Sequence, residues 1–145
     1  MVAGSCAGWL SGSRLAPVAY AGKGGPGVYQ SIINQMPPHR VYIEAFLGAG
    51  SVLRNKRPAA SSIGVERDAA VLEEYWATSN GVPNLRLRQE NAIGFLTMHD
   101  WHGDELVYCD PPYLMETRRD QRGYYRYELS TDDHRELLDI LKGLR

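Results

Sequence analysis

The strongest constraint on this chain is a fourfold alternation of short β-rich runs and helical segments. The β-rich runs are residues 41–46, 62–66, 85–88 and 104–109. Each precedes apolar residues at helical spacing. Val52 opens a short helix, stopped by Pro58, after the first run. Val71, Leu72, Tyr75 and Trp76 follow the second, and Ala92, Ile93, Phe95 and Leu96 the third. Leu137, Leu138, Ile140 and Leu141 follow the fourth and are expected to share one face. One more helix, with Val28, Ile32, Ile33 and Met36, is expected ahead of the first run, ended by Pro37-Pro38. Asp68 and Thr131 stand where helix caps belong. This alternation, without an internal repeat, predicts an α/β fold with a parallel sheet and helices on both faces. Ligands of such sheets bind beyond the carboxyl ends of the strands. Those ends carry Gly48, Glu66, Asn91 and Asp110, so four positions converge on one rim.

The bulk numbers limit the function classes. A chain of 145 residues suits one domain. Residues 1–16 are rich in Gly, Ser and Ala and read as a flexible tail, leaving 17–145 as the domain. With Arg14 as its one charge, that tail makes a poor signal peptide. The net charge of −1 gives no global basic field, so any nucleic-acid contact must come from a local patch. Cys6 and Cys109 make no CxxC pair and no zinc spacing, and read as free thiols in a reducing compartment. No apolar run approaches membrane-spanning length. A cytoplasmic protein is expected, with no metal and no membrane partner; the oligomeric state is open.

The first strand runs through Glu44-Ala45-Phe46 into Leu47-Gly48-Ala49-Gly50. Glycines between a strand and a helix allow a tight turn and close approach of backbone to a ligand. No GK[ST] follows Gly50, so this is not a phosphate-cradling loop. Glu66 ends the next strand, about twenty residues on, where a carboxylate can accept from both ribose hydroxyls. A nicotinamide dinucleotide and S-adenosylmethionine both fit to this point. A dehydrogenase is the weaker choice, because GxGxxG is incomplete and no catalytic relay is apparent.

Asp110-Pro111-Pro112-Tyr113 separates the two. Two prolines stiffen the loop and remove backbone donors, leaving carbonyl acceptors beside the Asp110 carboxylate. Such a cluster suits an amine that donates two N–H groups. An aromatic exocyclic amine is a poor nucleophile, and it turns cationic as it is methylated. A fixed carboxylate then interacts more strongly with the transition state than with the ground state. Tyr113 offers a flat face for a base, worth about 1–3 kcal/mol.

These residues resemble the DPPY-type, Dam-like DNA adenine methyltransferases. The likeness spans about residues 17–145. It is most specific in Asp110-Pro111-Pro112-Tyr113 and in the block from Tyr42 to Gly50, with Tyr20-Ala21-Gly22-Lys23 resembling the family's amino-terminal motif. The resemblance implies a Rossmann-like fold that binds S-adenosylmethionine. It implies a cofactor pocket of Tyr20, Lys23, Glu44, Phe46, Gly48, Gly50, Glu66, Asn91 and Asp110. In it Glu44 takes the methionine amino group and Glu66 the ribose. Asp110 and the Pro111 carbonyl would bind the target amine, and Tyr113 would stack on a flipped adenine. Asn91 stands where the family usually carries Asp.

The partner implied is double-stranded DNA. After Tyr113, Arg118, Arg119, Arg122 and Arg126 interleave with Tyr124, Tyr125 and Tyr127, a composition suited to phosphates and bases. Only about sixty residues separate Gly50 from Asp110, too few for an inserted target-recognition region. The family fold continues with three more strands after the equivalent of Arg145. A carboxy-terminally shortened phage or mobile-element member, of the restriction-modification kind, is therefore expected. An inactive cofactor- or DNA-binding remnant, and methylation of the cytosine N4 amine, remain the alternatives.

Overall fold

A computed structural model describes residues 25, 27–114 and 126–144 of the chain. Its elements run α1 (Val28–Ile33), β1 (Val41–Glu44), α2 (Ser51–Asn55), β2 (Ser61–Glu66), α3 (Ala69–Thr78), β3 (Leu85–Gln89), α4 (Ala92–Met98), β4 (Glu105–Tyr108) and α5 (Thr131–Gly143). The four strands form one parallel sheet in the order β3-β2-β1-β4. The α/β expectation therefore holds among the described residues. The chain builds outward from β1 through β2 to β3, then returns across the sheet to pair β4 with β1.

Two apolar clusters cover the two faces. On one, Ile43, Ile63 and Val65 pack against Ala92, Ile93, Phe95 and Leu96 of α4 and Leu137 of α5. On the other, Tyr42, Leu85, Leu87 and Leu106 meet Ile32 and Ile33 of α1, Val52 and Leu53 of α2, and Tyr75 of α3. Helices thus lie on both faces, as the alternating pattern requires. β3 is an edge strand, and its LRLRQ sequence shows it. Leu85 and Leu87 face the core, while Arg86 and Arg88 lie outside and reach Ser61 and Glu90.

Three local expectations change. Helix α1 ends at Ile33, before Pro37-Pro38; Asn34 N–H makes its last regular bond, to Gln30 O, and Gln35 and Met36 follow with shorter turns to Ile32 O and Ile33 O. Helix α5 is capped by Ser130, not Thr131. Ser130 Oγ accepts from the Asp133 N–H at 3.1 Å, and Asp133 Oδ2 accepts from the Ser130 N–H at 2.7 Å. This reciprocal box satisfies two otherwise orphaned donors. The Ser130 hydroxyl also donates to Asp133 Oδ2 at 2.7 Å, and this bond, with that from the Ser130 N–H, holds the Asp133 carboxyl below its ordinary range. Leu138 does not join the apolar face and is exposed. At about 100° per residue, Leu137, Ile140 and Leu141 share a stripe that Leu138 leaves. Asp68 does cap α3, accepting from Ala70 N–H at 3.0 Å.

The glycine turn shows why two of its positions tolerate little else. Gly48 has φ 49° and Gly50 φ 63°, in the left-handed region. A Cβ on Gly50 would lie 2.3 Å from Cε2 of Tyr75 and 3.1 Å from Leu47. α3 packing over the turn is thus by itself enough to require glycine at 50. Gly50→Ala is expected to destabilise the protein by roughly 2–4 kcal/mol, the sum of overpacking and a positive φ. Urea denaturation measures it, and Tyr75→Leu in the same background should recover part of the loss.

Candidate active site

The carboxyl ends of the strands surround one cleft, with ≈ 1090 Å³ of free space up to its mouth. Glu44 from β1, Glu66 from β2, Asn91 after β3 and Asp110 after β4 all line it, with Phe46, Gly48 and Gly50 of the turn and Pro112 of the proline loop. The β1–β4 pairing brings the two halves together. Glu44 is the register partner of Tyr108, and Ala45 N–H continues the ladder to the Tyr108 carbonyl at 3.1 Å. Asp110, two residues beyond Tyr108, therefore emerges beside the glycine turn. This is the point where the chain reverses its direction across the sheet, the usual ligand position in open α/β folds.

The two strand-end glutamates are held differently. Glu66 is fixed by backbone alone: Oε2 accepts from Gly48 N–H at 3.0 Å and Oε1 from Asp68 N–H at 2.9 Å. It therefore ties the glycine turn to the start of α3 and keeps lone pairs on both oxygens for the cleft. Glu44 is buried, at 3% exposure. Its Oε2 accepts from Tyr42 Oη at 2.9 Å and from Leu53 N–H at 3.0 Å. Burial pushes the Glu44 carboxyl up to about 8, with the neighbouring Asp110 charge adding to the rise. The hydrogen bonds from Tyr42 and Leu53 and the Lys56 charge pull the other way.

Arg54 was not singled out by the sequence, yet it organises the turn from behind. Its guanidinium donates to Ala49 O at 2.9 Å, Thr78 O at 2.8 Å and Tyr75 O at 3.2 Å. It also lies 4.2 Å from the centroid of the Tyr75 ring. One side chain so satisfies the last carbonyls of α3 and pins the glycine turn. Nothing in the spacing distinguishes it from a surface arginine. Asn91 proves to be the N-cap of α4, accepting from Ile93 N–H at 2.9 Å. Its place in the cleft wall therefore comes with a structural duty.

Arg126, expected among DNA-facing residues, lines the cleft. It approaches Asp68 Oδ1 at 3.7 Å, and the next residue, Tyr127, lies under the Arg67 guanidinium at 4.7 Å. Tyr113 stands outside the cleft lining and is 58% exposed. Pro111 is half-buried in the same loop. Tyr20, Lys23, Arg118, Arg119, Arg122, Tyr124 and Cys6 lie outside the described residues. Cys109 is a free thiol, pushed up to about 11 by burial and by Asp110. His134 does not line the cleft, and His39 Nδ1 donates to Pro37 O at 2.8 Å.

The charge of the cleft selects its ligand. Among the described residues, Glu66, Asp68, Asp110, Glu128 and Asp133 line it against Arg67 and Arg126, while burial keeps Glu44 protonated near neutrality. A diphosphate would meet repulsion there, whereas a ligand bearing cations beside a ribose fits the donor and acceptor set. S-adenosylmethionine, with its sulfonium and ammonium groups, is of that kind.

The fold is that of an α/β protein with a cleft at the reversal point of a parallel sheet. Residues 73–145, half of the chain, match the D12 class N6 adenine-specific DNA methyltransferases, and the chain belongs to that family. The matched span includes β3, β4, the Asp110–Tyr113 loop and α5; the glycine turn lies ahead of it. The family implies S-adenosylmethionine as methyl donor. Among solved structures, the chain is similar to a conserved hypothetical protein of Streptococcus pyogenes, with 19% identity and a TM-score of 0.49. That match covers 59% of this chain and 58% of the other. It is also similar to Escherichia coli yhhF, for which methyltransferase activity has been proposed, with 25% identity and a TM-score of 0.38. There the match covers 47% of this chain and 42% of the other, so less than two thirds of either solved chain is spanned. No curated protein matches. Among the described residues, no helix is long and apolar enough to cross a membrane.

The raised Glu44 carboxyl has a consequence for stability. Between an ordinary 4.5 and about 8 the folded state holds a proton that the unfolded state releases. Stability of the ligand-free protein is therefore highest below that window and falls as pH rises through it. Urea midpoints from pH 5 to 9 are expected to fall for the wild type relative to Glu44→Gln, whose amide does not titrate. Parallel curves for the two proteins would remove Glu44 as the cause.

Proposed function

We propose that this chain binds S-adenosylmethionine in the acidic cleft and methylates the exocyclic N6 amine of an adenine flipped out of double-stranded DNA. The observation that carries the reading is the position of Asp110. It opens a rigid Asp-Pro-Pro-Tyr loop, lines the cleft, and stands at the end of the strand paired with the glycine-turn strand. Family membership supports the same reaction.

When bound, S-adenosylmethionine supplies an electrophilic methyl group. The chain's residues do the rest. Glu66, locked by two backbone N–H groups, is set to accept from the ribose hydroxyls without reorganising. Glu44 receives the amino group of the methionine end. Asp110 and the Pro111 carbonyl accept the two N–H bonds of the target amine. They orient its lone pair towards the methyl group and stabilise the positive charge that grows on nitrogen. The amine proton then leaves to solvent. Tyr113, exposed at the rim, stacks on the extrahelical base. Arg118, Arg119, Arg122 and Tyr124 contact the DNA backbone, with Arg126 at the junction of DNA and cofactor. Residues 17–145 are the working unit in this reading.

The test is transfer of labelled methyl from S-adenosylmethionine to unmethylated DNA, followed by digestion to nucleosides. The label is expected in N6-methyladenine. Asp110→Ala is expected to reduce transfer by about 10²–10³-fold while cofactor affinity stays within a few fold. Equal loss of both would overturn its role. Glu66→Gln is expected to weaken cofactor binding by roughly tenfold or more, measured by calorimetry, because a charged acceptor of the ribose is lost. Label in N4-methylcytosine would change the substrate base. Tight cofactor binding with no label would leave a binding module.

A further inference from the structure

Tyr42 and Glu44 lie two residues apart on β1, and so on the same face of the sheet. Tyr42 is fully buried and Glu44 nearly so. Both hydrogen bonds to the carboxylate fall on one oxygen: Tyr42 Oη and Leu53 N–H each donate to Oε2, at 2.9 and 3.0 Å. Among the described residues Oε1 accepts none. It is not sealed in the core either, because the buried side-chain oxygens without a partner are those of Ser62 and Tyr75. Glu44 lines the cleft, so Oε1 is the oxygen it offers there.

We propose that Tyr42 is a positioning residue for cofactor binding, holding Glu44 by Oε2 so that Oε1 meets the amino group of the ligand's methionine end. This rests on the cofactor reading above. The hydroxyl does two things at once. It fixes the rotamer of a carboxylate that has few other tethers, and it stabilises the ionised form that a cation requires. The other groups facing Glu44 divide. Asp110 beyond β4 disfavours its charge. Lys56, at the end of α2, favours it. Lys56 is itself held over the Tyr42 ring at 4.4 Å and bonded to Arg57 O. Tyr108 of β4 and Tyr75 of α3 are further titratable neighbours, and burial raises the Tyr75 hydroxyl. A phenylalanine at 42 would keep the ring, the packing and the Lys56 contact, and remove only the donor.

The experiment compares wild type with Tyr42→Phe in binding S-adenosylhomocysteine from pH 6 to 9.5, beside NMR titration of the Glu44 carboxyl in each ligand-free protein. S-adenosylhomocysteine carries the same amino group and survives alkaline buffers, and its own titration cancels in the ratio of affinities at each pH. In Tyr42→Phe the Glu44 midpoint is expected to move up. The variant should bind severalfold more weakly at pH 6, and the ratio should shrink as pH rises. In a Glu44→Gln background, adding Tyr42→Phe should change affinity little. A constant ratio across pH with an unmoved Glu44 midpoint would mean a merely structural tyrosine and overturn the proposal. Methylthioadenosine, which lacks the amino group, separates the two readings. If it binds while S-adenosylhomocysteine shows no dependence on Tyr42, the cofactor cleft survives and this role falls. If neither binds, the cofactor reading fails and takes this role with it.

Discussion

β1 is hydrogen-bonded on both sides, to β2 at Val41↔Ser61 and to β4 at Val41↔Glu105, and the site depends on that double pairing. The β2 side joins strands consecutive in sequence, tying Glu44 to the region that ends in Glu66. The β4 side closes a long excursion through β3 and α4 and returns Asp110 to the glycine turn. Parallel strands need such crossovers, and the crossover helices cover both faces with apolar side chains. The cluster of Ile43, Ile63, Val65 and α4 therefore stabilises the sheet and also sets the separation between the carboxylates at its edge.

Those carboxylates work in different environments. Glu66 is solvated in part and anchored only by backbone donors, so it is a rigid acceptor. Glu44 is surrounded by a tyrosine ring, an aliphatic helix and a second acid, and burial holds its proton well above the usual carboxylate range. Glu66 and Asp110, with Asp68, Glu128 and Asp133, make the cleft acidic in a protein whose net charge is only −1. An acidic cleft of this kind favours a cationic ligand.

Much of this was legible in order and spacing. All four strands lie within a residue or two of where their β-rich runs put them, and Asp68 caps α3 as read. The rim positions converge because every parallel strand ends on the same side. Other features could not be read. Gly50 was assigned to ligand approach, and its neighbour is Tyr75, twenty-five positions away. Leu138 was counted with the core, but α5 touches the sheet with a stripe too narrow to include it. Arg54 has five possible donors and a pattern-neutral position, and only the fold reveals which carbonyls it meets. Arg126 sits in a segment read for its Arg and Tyr content, and composition does not tell a phosphate contact from an ion pair with Asp68.

The sequence by itself determined the α/β class, the convergence of side chains on the rim at the strand ends and the stiffness of the Asp110 loop. Those follow from periodicity, from the common direction of parallel strands and from the geometry of paired prolines, all of them local. The tertiary structure alone decided the strand order, the partners of Glu44, and the crowding that makes position 50 a glycine. These depend on which distant surfaces exclude water together, and burial of a carboxylate beside a tyrosine hydroxyl exists only once the strands have paired.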